Sequence, residues 1–216
     1  MQNNFISFPS SVFVTGTDTN IGKSVICAIL MAGLKGIYWK PVQSGLEEIS
    51  DTEWVKEKTG LPDRHFRAET YRLTKPLSPH ASSLYDGIRI DLESFQLPEI
   101  TGSDHFIIEG AGGILVPLNE KEYMVDLMEK LLSPVILVSS ASLGTINHTL
   151  LSLEYLKGRG IDIMGVVMNG PKNRINREAI EHYGRVSVLA EVDPLSEINP
   201  ESLRQCFIKY FGDNNG

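Results

Sequence analysis

Short apolar, β-branched runs recur along the chain, and the stretches between them repeat their apolar positions with helical spacing. The runs are Val12–Thr15, Gly36–Lys40, His105–Glu109, Val135–Ser139, Ile163–Asn169 and Val186–Ala190. Most are apolar without alternation, the pattern of strands buried on both faces. The intervening stretches predict helices over Gly22–Leu34, Thr52–Lys58, Glu122–Leu132, Ile146–Lys157 and Arg174–Tyr183. Asp51 is a candidate N-cap for the second and Gly60 its stop; Gly158 is placed to terminate the fourth. Strand–helix alternation of this kind predicts an α/β fold, with a mainly parallel sheet, helices on both faces and right-handed crossovers. Ligands in such folds gather beyond the carboxyl ends of the strands. The segments that follow the strands are therefore the places to look for chemistry.

Those segments are rich in glycine, lysine, carboxylate and amide. After the first strand comes Gly16-Thr17-Asp18-Thr19-Asn20-Ile21-Gly22-Lys23-Ser24, after the second Lys40-Pro41-Val42-Gln43-Ser44-Gly45, after the third Glu109-Gly110-Ala111-Gly112-Gly113, and Asn169 ends the fifth. The first reads as a phosphate loop. Loop N–H groups and a helix N-terminus converge on one point, Lys23 would reach the outer phosphates, and the Ser24 hydroxyl would ligate Mg²⁺. Five residues separate Gly16 from Gly22, one more than in the usual loop. A magnesium ion held by one hydroxyl needs further oxygens, for which Asp51 and Glu109 are the candidates. Lys40 ends an apolar run before a proline and would point into the cleft, where a second cation suits phosphoryl transfer.

Bulk composition narrows the partners. The 216 residues carry a formal net charge of −7, which argues against nucleic acid as a partner. They suffice for a single domain, residues 1–216. Met1 to Ser11 lacks the basic-then-apolar order of a signal peptide, and no apolar run approaches the roughly 20 residues of a membrane span. The expectation is a cytoplasmic protein with no membrane partner. Two cysteines, Cys27 and Cys206, are too few for a disulfide framework or a zinc site. Trp39 and Trp54 read as packing aromatics, His148 as a helix residue, and His80 carries no assigned chemistry.

Taken together, the motifs resemble one family. Val14-Thr15-Gly16-Thr17-Asp18-Thr19 with Gly22-Lys23-Ser24 is similar to the lengthened phosphate loop of dethiobiotin synthetases. Lys40 to Gly45, Ser50-Asp51, Ser78-Pro79-His80, Glu109 to Gly113, Leu143-Gly144-Thr145-Ile146-Asn147-His148, Asn169 and Ala190-Glu191-Val192 follow in the family's order. The resemblance runs from about Val12 to about Pro194. It implies a P-loop NTPase-like fold and the conversion of diaminopelargonate, CO₂ and Mg-ATP to dethiobiotin, ADP and phosphate, in a homodimer. It assigns Lys23 and Lys40 to catalysis and Ser24, Asp51 and Glu109 to Mg²⁺. Nucleotide contacts fall to Gly16, Thr17, Asp18, Thr19, Asn20, Ile21, Gly22, Lys23 and Ser24, and to Asn169, Glu191, Val192 and Asp193. Substrate contacts fall to Thr19, Lys40, Ser44, Leu143, Gly144 and Asn147, the last three holding the carboxylate tail across the dimer interface. Three positions depart from the family pattern: Ser24 replaces a threonine, Asn20 an acidic residue, and Asp193 stands before Pro194 where a proline often comes one residue earlier.

Other classes fit less well. Ligases of the cobyrinic acid amidation type usually add a glutaminase domain, for which this length leaves no room. Partition- or septum-positioning ATPases typically place a lysine before the Gly-Lys pair, and Thr15 to Ile21 contains none. A catalytically dead nucleotide-binding module would not need to keep Lys23, Lys40, Asp51 and Glu109.

Overall fold

A computed structural model describes residues 6–98 and 105–212. The leader-peptide reading at residues 1–5, and the extension of the single domain over 1–5, 99–104 and 213–216, lie outside the described residues. The chain runs β1 (Ser11–Gly16), α1 (Lys23–Leu34), β2 (Ile37–Trp39), β3 (Val42–Ser44), α2 (Asp51–Thr59), β4 (Phe66–Arg67), β5 (Tyr71–Leu73) and α3 (Pro79–Asp86). It continues through β6 (Phe106–Gly113), α4 (Met124–Leu131), β7 (Val135–Ser140), α5 (Thr145–Gly158), β8 (Ile163–Asn169), α6 (Arg174–Gly184), β9 (Val188–Val192) and α7 (Pro200–Phe211). Seven strands form one sheet in the order β4-β2-β6-β1-β7-β8-β9, and β3 pairs with β5 in a separate ladder. Every pairing between these strands is parallel.

The absence of alternation in the strand sequences has its cause here, since both faces of the sheet are covered. Val12, Val14, Ile107, Ile136, Val138 and Val167 pack with α1 and α7 residues such as Ile29, Leu30, Leu203 and Phe207. Phe13, Trp39, Phe106 and Ile108 point the other way, onto Met124, Leu127, Met128 and Leu131 of α4. Leu137, Val166 and Met168 meet Leu153 and Ile180 of α5 and α6. Burying each such side chain contributes about 1.5–3 kcal/mol relative to exposure.

The structure departs from the sequence expectations at several element ends, among them Gly158, which is the last residue of α5 and is followed by Arg159 as the cap. The third strand continues past Glu109 to Gly113. Glu109 therefore lies within β6, level with Val14, and its side chain shares the α1 face of the sheet with Val14 and Ile107. The second strand ends at Trp39, because Pro41 has no N–H with which to extend the ladder. The sixth strand sits two residues later than predicted, at Val188–Val192. The cap of α2 is Ser50, in a reciprocal capping box with Glu53, so Asp51 is the first helical residue and its carboxylate is free for other partners.

Candidate active site

The carboxyl ends of β1, β2 and β6 lie side by side, and the site is built there. β1 delivers the chain into residues 17–22, anchored at the start by Thr17 N–H donating to Val138 O at 3.0 Å. Asn20 and Gly22 take left-handed conformations with φ of 57° and 91°. Asn tolerates this region and Gly enters it without cost, which suits both residues to their positions. Gly22 then leads directly into α1, so the N-terminal amides of that helix face the loop. Asp18 Oδ1 accepts from Thr19 N–H at 2.7 Å, and the Lys23 ammonium bends back to donate to Asp18 O at 2.9 Å. Lys23 is only 6% exposed. Burial, then the nearby Lys40 ammonium, pushes it below its ordinary value. An arriving phosphate would oppose both effects.

Beside the loop lies a compact ionic cluster. The Ser24 hydroxyl sits 2.9 Å from both Asp51 Oδ1 and Glu109 Oε1. The Lys40 ammonium lies between the same two carboxylates, 3.0 Å from Glu109 Oε1 and paired with Asp51 Oδ2. Glu109 is 1% and Lys40 4% exposed. Burial alone would lower Lys40; the charge of Glu109 and then of Asp51 outweighs it and holds the ammonium above its ordinary value. Burial would raise Asp51, and Lys40 followed by the Ser24 hydrogen bond holds it below the ordinary carboxylate value instead. The one hydroxyl proton of Ser24 can serve only one carboxylate at a time. Two carboxylates and a hydroxyl thus converge as hard oxygen donors, a set that fits Mg²⁺ completed by phosphate and water. Among the described residues no group of three or more His, Cys, Asp or Glu is arranged to hold a metal ion by itself.

Three residues that the sequence reading did not assign support the cluster. Tyr38 is fully buried and donates through its phenol to Glu109 Oε2 at 2.8 Å. In the run Gly36 to Trp39 it reads as one more apolar core residue, and nothing in the sequence pairs its hydroxyl with position 109. Cys27, one turn after Ser24 on α1, is fully buried; burial first and Glu109 second push its thiol well up. Gln43 is buried, with Oε1 accepting from Asp51 N–H at 3.1 Å and so fixing where α2 begins. Its place in the Lys40–Gly45 segment was the available signal.

The remaining predicted positions are spread around this centre. The Ser44 hydroxyl is buried with no hydrogen-bond partner. The Asn169 side-chain amide donates to Ile21 O at 2.9 Å, beneath the loop. Glu191 accepts from Asn173 N–H at 2.9 Å, and Val192 is fully buried. Asp193 accepts from the Tyr210 phenol at 2.9 Å. Leu143, Gly144 and Asn147 are exposed at the start of α5. His148 is also exposed, and His80 N–H donates to Pro117 O at 3.1 Å. An open cavity of about 600 Å³ at the amino ends of β8 and β9 contains none of the predicted site residues.

Among the described residues no helix is long and apolar enough to cross a membrane. A family model described as an AAA domain matches residues 10–202. A ParA family ATPase from Chlorobium tepidum TLS superposes with a TM-score of 0.55 at 14% identity, covering 94% of this chain and 91% of that one. Sheet order, phosphate loop and buried lysines together define a P-loop NTPase-like α/β protein. The chain is 43% identical over 204 residues to the ATP-dependent dethiobiotin synthetase BioD of Rhodopseudomonas palustris (strain HaA2), spanning 94% of this chain and 95% of the relative. It is 46% identical over 192 residues to the protein of the same name from Paramagnetospirillum magneticum (strain AMB-1), spanning 89% and 92%. The chain belongs to the dethiobiotin synthetase family.

Proposed function

We propose that this protein closes the ureido ring of dethiobiotin from diaminopelargonate, CO₂ and ATP, in biotin synthesis. The observation that carries the reading is the convergence of Ser24, Lys40, Asp51 and Glu109 through hydrogen bonds and ion pairs, beside a loop on which Lys23 is held by Asp18 O. In this reading one substrate amine captures CO₂ as a carbamate. A carbamate oxygen attacks the γ-phosphorus, the bond to ADP breaks, and a carbamic–phosphoric anhydride forms. The second amine attacks the carbonyl, phosphate leaves, and the ring closes.

The chain's part is charge and position. Loop amides from Gly16 to Gly22 and the Lys23 ammonium hold the triphosphate. Ser24, Asp51 and Glu109 would hold Mg²⁺, which supplies positive charge against the phosphate oxygens when bound. Carbamate and γ-phosphate repel: two unit charges 4 Å apart cost about 4 kcal/mol at an effective dielectric constant near 20. In this reading the Lys40 ammonium offsets that repulsion, and Thr19 and the unpartnered Ser44 hydroxyl serve as further hydrogen-bonding groups. Holding both amines near the reacting carbon supplies effective concentration. Asn169, Glu191, Val192 and Asp193 border the base. The substrate carboxylate meets Leu143, Gly144 and Asn147 of a second copy in a cytoplasmic homodimer. The full exposure of Leu143 and the 63% exposure of Leu151 on α5 favour burial there.

The test is incubation of the purified protein with diaminopelargonate, ¹³C-bicarbonate and Mg-ATP, followed by mass detection of dethiobiotin one unit heavier. ATP binding without any such product refutes the proposal.

A further inference from the structure

We propose that Asn169 is a positioning residue for the phosphate loop, so that one side chain links the base end of the nucleotide site to its phosphate end. The inference rests on the reading of residues 16–24 as that loop. Asn169 closes β8, and its backbone is held by parallel pairing with Ser140 on one side and Val192 on the other. From this fixed point its amide nitrogen donates to Ile21 O at 2.9 Å, across 148 residues of sequence. A Cβ on Gly22 would overlap that same nitrogen, so the loop backbone lies directly on the amide. The segment it supports bends through two left-handed residues, Asn20 and Gly22. Among the described residues, no other side-chain hydrogen bond reaches residues 17–22 from outside the loop and its helix. The Asn169 carboxamide keeps its oxygen and second N–H for a nucleotide, while its first N–H holds the loop. A ligand with no base at all should therefore still sense Asn169.

Inorganic tripolyphosphate with Mg²⁺ separates the two roles. Its affinity for the wild-type protein and for Asn169→Ala is measured by calorimetry beside that of Mg-ATP. Loss of the bond to Ile21 O is expected to weaken tripolyphosphate by about tenfold. A tripolyphosphate affinity within about twofold of wild type, with Mg-ATP alone weakened, reduces Asn169 to a base contact and overturns the proposal. Failure of the wild-type protein to bind tripolyphosphate would instead sink the phosphate-loop reading beneath it. Where Asn169→Ala does not fold, the Asn169 side-chain amide resonances of the wild-type protein decide. A shift that saturates with tripolyphosphate supports the linkage, and invariance overturns it.

Discussion

Replacing Lys40 by methionine keeps much of the side-chain volume and removes the charge. In the wild-type protein that ammonium is 4% exposed and faces Asp51 and Glu109, the latter 1% exposed. Removing one partner of a buried ion pair typically costs about 3–5 kcal/mol, because the other charge stays buried without compensation. For a chain of 216 residues each kcal/mol shifts the melting temperature by about 2–4 °C, so the nucleotide-free variant should melt about 6–20 °C lower at pH 8. The pH dependence has a definite sign. In the wild type Asp51 is held below its ordinary value chiefly by Lys40. Its stabilising contribution is complete above about pH 4, the ordinary carboxylate range, and is lost as pH falls through the lowered value. In Lys40→Met that contribution is gone, and the paired carboxylates can relieve their repulsion only by taking up a proton. The deficit should therefore be largest at high pH and shrink as pH falls toward 5. Mg²⁺ should raise the melting temperature of the variant more than that of the wild type, since no ammonium competes for the carboxylates. Dethiobiotin formation should vanish while ATP binding changes little. A melting temperature within about 2 °C of wild type at pH 8, or undiminished turnover, would refute the argument.

Further outcomes follow from neighbouring residues. Glu109→Gln keeps the shape and an acceptor for Tyr38 but loses the charge; Mg-ATP affinity should fall by about tenfold or more and metal-free ATP far less, and equal losses by calorimetry would count against metal ligation. Tyr38→Phe removes a hydrogen bond to a buried carboxylate, so it should lose about 1.5–3 kcal/mol in chemical denaturation and need more Mg²⁺ for half-maximal turnover; a stability loss without any change in the Mg²⁺ requirement would leave Tyr38 a packing residue. Cys27, buried with its thiol pushed up by burial and then by Glu109, should react with thiol reagents only at the rate of unfolding, which labelling at increasing denaturant measures. Leu143→Asp should shift the proposed homodimer toward monomer in analytical ultracentrifugation, and an unchanged dimer would place the interface elsewhere.

Strands buried on both faces write themselves as uninterrupted apolar runs, which is why β1, β6, β7 and β8 were legible in the sequence. The elements it did not reveal are those whose signal is short or mixed. β4 and β5 span two and three residues, too few to show any period. α3 and α7 begin with the same device, a capping Ser78 or Asn199 followed by Pro79 or Pro200. The Leu203, Cys206, Phe207 and Phe211 stripe of α7 has helical spacing, yet it is interleaved with charged residues and follows a polar loop. At the site, the residues carrying recognisable chemistry could be named in advance, since Gly-Lys-Ser, a lysine before proline and a carboxylate in an apolar run each violate the local pattern. Tyr38 and Cys27 violate nothing. Their relation to Glu109 exists only once β2, β6 and α1 are packed, and one-dimensional periodicity has no means of expressing it.

The acidity of the chain and its use of a polyanion are compatible for a related reason. The net charge of −7 is a sum over the whole sequence, whereas screening at physiological ionic strength confines the effect of surface charges to about 8 Å. Beside the loop, the carboxylates of half-buried Asp51 and buried Glu109 are matched by the two buried ammonium groups of Lys23 and Lys40. The ion-free site is thus close to neutral, and the oriented amides of the loop and of α1 add only positive potential. Each lysine is held in that balance by a group it would exchange: Lys23 by the Asp18 carbonyl, Lys40 by the carboxylates suited to Mg²⁺. In the proposed reaction, nucleotide and metal arriving together would replace those interim partners without leaving a buried charge alone, the condition a buried ionic centre must meet to bind and release its ligand reversibly.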